Sequence, residues 1–137
     1  MIEYIGGEFS YSEKSFLNIS NKKNFSNFSW STSGRSAFFN ILAKCEKKNF
    51  NTVYLPAYVC DSLISPVKKL GFRISFYDLD ENLNIKNEFK SNSIILVIHF
   101  FGKKIKSIDY IKKNIPKDSK LIEDFTHVFL NQNIFTK

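Results

Sequence analysis

Apolar positions along this chain fall into segments whose spacing changes from one to the next. Ala37, Phe38, Ile41, Leu42 and Cys45 recur every three or four residues behind the cap candidates Ser31, Thr32 and Ser33. That spacing predicts an amphipathic helix running to about Lys47. Val53-Tyr54-Leu55 predicts a short buried strand ended by Pro56. Leu63, Ile64, Val67 and Leu70 form a second helical stripe closed by Gly71, and Pro66 within it is expected to kink or divide the helix. From Phe72 to Leu79 the pattern alternates as in a strand, with Phe72, Ile74 and Phe76 on one face and Ser75 and Tyr77 on the other.

The charged stretch from Asp78 to Asn92 predicts loop. Ser93 to Phe101 is a continuous apolar run, the pattern of a central strand buried on both faces, and Gly102 ends it. Ile105, Ile108, Ile111 and Ile115 share one helical side, Pro116 stops that helix, and Leu121-Ile122 make the last strand. The order helix, strand, helix, strand, strand, helix, strand argues for an α/β fold with a mostly parallel sheet flanked by helices. Residues 1–30 lack either period; they read as an extended amino-terminal arm with one short helix and a turn at Gly6-Gly7. Beyond His127 only Val128 to Lys137 remain, fewer residues than such a sheet needs for closure, so residues 31–137 are expected to be a truncated domain.

Composition changes this picture little. A chain of 137 residues with 43% apolar positions is enough for one domain with a core. The net charge of +7 permits a polyanionic partner, but the lysines are scattered in short pairs, as on solvated faces, and no nucleic-acid-reading motif accompanies them. A phosphorylated small molecule uses the same sign of charge more economically. No leader-like segment and no apolar run of membrane-spanning length occurs, which argues for a cytoplasmic chain without a membrane partner. Cys45 and Cys60 lie far apart with no CxxC or Cys/His cluster, so no metal is expected and both read as free buried thiols.

Candidate chemistry gathers where strands end. Lys120-Leu121-Ile122-Glu123-Asp124 is a short strand that stops on two carboxylates, and His127 follows Asp124 by three residues. In open α/β sheets ligands sit outside the carboxyl ends of the strands, so Asp124 is placed to meet one; the competing reading is a turn former or helix cap. Ser33-Gly34-Arg35-Ser36 opens the first helix, where free N–H groups and the positive dipole end favour an anion, although Ser and Gly also serve there simply as caps. Tyr58 and Cys60 follow the first strand on the same edge of the sheet. Tyr58 could cover a flat ligand or belong to the core; Cys60, with no base to activate it in the sequence, reads as buried filler. His99, inside an apolar strand, reads as a hydrogen-bonded core histidine.

Taken in order, Ser33-Gly34-Arg35-Ser36-Ala37, Leu55-Pro56-Ala57-Tyr58, Phe76-Tyr77-Asp78-Leu79-Asp80, Ile98-His99-Phe100-Phe101-Gly102 and Ile122-Glu123-Asp124-Phe125-Thr126-His127 resemble the DegT/DnrJ/StrS family. These are pyridoxal-phosphate (PLP) dependent aminotransferases of fold type I that act mostly on nucleotide-linked keto sugars. The resemblance spans Gly6 to about Leu130 and covers the first part of a family member. It implies a partial large domain of the aspartate aminotransferase-like fold, PLP as cofactor, an amino donor such as glutamate, a keto-sugar-like acceptor, and a homodimer in the complete protein. It also implies roles residue by residue. Gly34, Arg35 and Ser36 stand where the family holds the cofactor phosphate, Asp124 where an acid pairs with the pyridine nitrogen, and His127 where a Gln lies beside the ring. Cys60 occupies the place of the aromatic that stacks on the ring, which leaves Tyr58 or His127 to stack. The family's Schiff-base lysine lies downstream of the Asp124 position, so this chain alone is expected not to transaminate. The alternative is a non-catalytic truncated or split-gene product that acts as a binding or assembly module.

Overall fold

The computed structural model describes Ser29, residues 31–45 and residues 49–127. The chain divides into two units, Met1–Trp30 and Ser31–Lys137, and the described residues other than Ser29 belong to the second. The expected amino-terminal arm, and the residues after His127, lie outside the described residues. Helix α1 spans Gly34–Ala43, strand β1 Thr52–Pro56, helix α2 Asp61–Lys69, strand β2 Arg73–Tyr77, strand β3 Ser93–Ile98, helix α3 Ile108–Asn114 and strand β4 Lys120–Asp124. A short 3-10 turn, Phe100–Gly102, follows β3. The sheet is wholly parallel, in the order β2-β1-β3-β4. The fold is therefore the α/β arrangement that the pattern predicts.

A strand's side-chain period of two assigns each residue to a face. Val53, Leu55, Ile94, Leu96 and Ile98 pack with Phe38 and Leu42 of α1 and Leu63 and Val67 of α2. On the opposite face Tyr54, Tyr77, Ile95 and Val97 pack with Ile108 and Ile111 of α3 and with Ile105 and Ile85 from loops. β3 is buried at every position because it lies inside the sheet with helices on both faces.

Three local features refine the expectations. α1 ends at Ala43, short of Lys47; the Cys45 N–H reaches only three residues back, to the Leu42 carbonyl at 2.9 Å, so the helical ladder gives way to a turn, and residues 46–48 lie outside the described ones. Pro66 does not divide α2, which runs unbroken through it. Phe76 is 52% exposed while Tyr77 is buried, because β2 is the sheet's edge and the opposite face there is covered by Phe89 and Ile85. The helix stop at Gly71 is as expected: with φ 69°, its N–H bonds to Lys68 O and that of Phe72 to Val67 O, the paired pattern of a Schellman cap. No described helix is long and apolar enough to cross a membrane.

Candidate ligand site at the strand ends

Successive connections leave β1 in opposite directions, outward to β2 and then back across to β3, so β1 and β3 flank the switch point of the sheet. Ligands of open α/β sheets bind in the crevice at such a point. Here the crevice has a visible cause. β1 and β3 pair only over Thr52 to Tyr54 and Ser93 to Ile95, after which they part. Pro56 has no N–H with which to continue the ladder. The Leu96 carbonyl, left without a β1 partner, accepts instead from the Tyr77 hydroxyl at 2.7 Å. Burial pushes that phenol well above its ordinary range, so it stays a neutral donor.

A cavity of about 670 Å³ opens there, lined from four segments. The amino end of α1 supplies Ser33, Gly34 and Arg35; the loop after β1 supplies Tyr58 and Cys60; β3 and the turn after it supply Ile98 and Phe100; β4 and its extension supply Asp124, Thr126 and His127. Six of the seven residues singled out as binding candidates thus share one cavity. The seventh, Ser36, does not line it: its hydroxyl lies 3.0 Å from the Ser33 hydroxyl and its N–H donates to that same oxygen at 3.1 Å.

At the α1 end Ser33 is the cap, its hydroxyl accepting the Ser36 N–H, while its carbonyl takes the Ala37 N–H at 2.9 Å. Among the described residues the N–H groups of Gly34 and Arg35 have no acceptor, and no acidic side chain sits in the first turn to offset the dipole. A Cβ added to Gly34 would meet no atom of the described residues within 4 Å, so their packing does not call for a glycine there.

Asp124 faces the cavity from the end of β4. Its Oδ1 accepts from both the backbone N–H, at 2.8 Å, and the hydroxyl of Thr126. This fixes the carboxylate's rotation and leaves Oδ2 without a partner among the described residues. Thr126 was not singled out from the sequence, although an Asp followed two residues later by Thr is the signature of such a side-chain turn. His127 lies edge-on to Phe100, with ring centroids 5.9 Å apart. Tyr58 is 65% exposed and its ring is 5.6 Å from that of Phe100. Aromatic side chains therefore stand along the wall between the helix end and the acid.

Cys60 corrects the reading as a buried thiol. It is exposed, at the cap position of α2, where the chain turns away from the strand ends, and its Sγ lies 2.6 Å from the Ser62 hydroxyl. Cys45 is buried, and neither cysteine forms a disulfide. No group of three or more His, Cys, Asp or Glu side chains that could hold a metal ion occurs among the described residues. No lysine lines the cavity among the described residues.

No family model and no curated protein matches the chain. Among solved structures, it is similar to the E. coli GDP-4-keto-6-deoxy-D-mannose-3-dehydratase with bound hydrated PLP, at TM-score 0.57 and 26% sequence identity. The match covers 67% of this chain and 27% of that one, so the chain spans about a quarter of that structure's length. The likeness shows the α/β fold of a PLP-binding enzyme.

Proposed function

We propose that this chain carries the phosphate-and-ring half of a PLP site in an enzyme that modifies a nucleotide-linked keto sugar. The observation that carries the proposal is the meeting, in one cavity, of a helix amino end without acids in its first turn and a carboxylate with one oxygen uncommitted among the described residues. A ligand with an anion at one end and a protonatable ring nitrogen at the other fits such a pair, and the cavity is of ligand size. Bound there, PLP supplies an electron sink for chemistry at the substrate carbon beside it.

The chain's own groups have separable tasks. The N–H groups of Gly34 and Arg35 hold the phosphate, and the Arg35 guanidinium adds charge at the same end. Asp124 accepts from the ring nitrogen through Oδ2 and keeps that nitrogen protonated. Tyr58 and His127 offer the aromatic surfaces that can cover the ring, which removes the need for an aromatic at Cys60. The Schiff-base lysine that the family resemblance puts downstream of the Asp124 position is not among the described lining residues.

The motifs favour amino transfer to the keto sugar, in the manner of the DegT/DnrJ/StrS aminotransferases, from a donor such as glutamate. The likeness to a dehydratase favours a second reading, loss of water from a similar sugar on the same cofactor. In the complete enzyme, an amino sugar formed from keto sugar and glutamate supports the first, and a deoxy product without net amino transfer supports the second.

Binding is tested on the chain itself by calorimetric titration with PLP. Saturable binding is expected, weakened about tenfold in Asp124→Ala, the loss that follows removal of one hydrogen bond to a charged group. Absence of saturable binding at millimolar PLP, or undiminished binding by the variant, would overturn the proposal.

A further inference from the structure

His99 contacts three consecutive residues of β4 and its extension in three different ways. Its Nε2 lies 3.1 Å from Glu123 Oε2. Its backbone N–H donates to the Asp124 carbonyl at 2.9 Å. Its ring stacks on Phe125, with centroids 4.2 Å apart and planes 27° from parallel. The side chain is fully buried.

The tautomer follows from the partners. Nδ1 accepts the Ile105 backbone N–H at 3.1 Å, so the ring proton sits on Nε2 and is donated to Glu123. Glu123 is fixed from its other oxygen by the Lys112 ammonium of α3, 2.6 Å from Oε1. Strand alternation explains the arrangement: Glu123 and Phe125 point to the α3 face, so Asp124 between them points to the α1 and α2 face, where the cavity lies.

We infer that His99 is a positioning residue, which from the far face of the sheet fixes the direction in which Asp124 enters the cavity. The inference rests on the PLP reading of that cavity. With residues 123 and 125 both gripped and the carbonyl of 124 bonded, the strand end has no freedom to twist about its axis. The Thr126 contacts then set only the carboxylate rotation. Two supports, one behind the strand and one ahead of it, thus share the aiming of a single oxygen. Glu123 is the second member of the support, since it holds the His99 proton against the Lys112 charge.

The test compares two ligands on the full chain, PLP and inorganic phosphate, since only PLP reaches from the helix end to Asp124. His99→Phe keeps a flat ring against Phe125 and removes both ring hydrogen bonds. It is expected to weaken PLP about tenfold, as for loss of a well-aimed charged hydrogen bond, and to leave inorganic phosphate binding unchanged. In an Asp124→Asn background the same change should cost nothing further for PLP. Where His99→Phe fails to fold by circular dichroism, Glu123→Ala, at a side chain 19% exposed, carries the same expectations, and Glu123→Gln, which still accepts from Nε2, should restore binding. Equal weakening of both ligands, full additivity with Asp124→Asn, or unchanged PLP binding would overturn the inference. A wild-type chain that binds no PLP would instead bring down the reading on which it rests.

Discussion

Acid should act on this protein first through His99. Its burial among Ile105, Glu123 and Phe125 lowers its pKa from the ordinary histidine value, with the hydrogen bond and charge of Glu123 opposing and the Lys104 and Lys112 charges assisting. The unfolded chain takes up a proton at about pH 6.5, while the folded one resists it. The contribution to stability is therefore complete above that pH and is lost as the pH falls through it toward the folded value. Thermal unfolding followed between pH 7.5 and 5, round values on either side of about 6.5, should show a falling Tm, and His99→Phe should flatten that slope. Most residues of the candidate site were legible, because a glycine at a helix start and an acid at a strand end carry their roles in their spacing. The supports were not. Nothing in the alternation Glu123, Asp124, Phe125 says that a histidine 24 positions upstream grips both flanking residues; that follows from the register pairing Ile98 with Asp124. Cys60 was misread for a related reason: whether a thiol at a strand end faces core or crevice depends on where the neighbouring strand leaves the ladder.

At the level of elements, punctuation residues were the most informative. Gly71 was read as a stop for α2, and its left-handed φ of 69° and the two capping bonds around it show why. Gly71→Ala places a Cβ in that conformation and should cost roughly 1 kcal/mol, read as a lower urea midpoint with unchanged slope. Pro66 was expected to kink or divide α2; the helix runs from Asp61 to Lys69 without a break, with Pro66 buried as Leu63 and Val67 are. The alternation in β2 was read correctly, but which face is covered is decided by the loop bearing Ile85 and Phe89, for which that alternation has no code.

For the whole molecule, strand identities were legible but their neighbours were not. A run of apolar residues from Ser93 to Phe101 announces a central strand, which in the structure ends at Ile98 before the Phe100–Gly102 turn; that β1 rather than β2 lies beside it is a non-local choice made by the crossover through α2. That choice creates the switch point and hence the crevice. It also makes β3 the element on which both faces depend. Leu96→Ala, at a site 1% exposed between α1, α2 and the sheet, should destabilise by about 2–5 kcal/mol in chemical unfolding, the usual range for a truncated core leucine.

The cavity draws its walls from four segments that reach from Ser33 to His127. Its donors and acceptors are neighbours only after the last strand has docked, so a partly folded chain offers a ligand almost nothing to hold. Ligand binding and global folding are then one equilibrium. A PLP concentration 100-fold above its Kd should raise the unfolding free energy by about 2.7 kcal/mol, and protection of backbone amides from hydrogen exchange should rise together in α1, β1, β3 and β4 rather than in one of them. For this protein the small molecule would act as a folding partner that arrives last and locks what has already assembled.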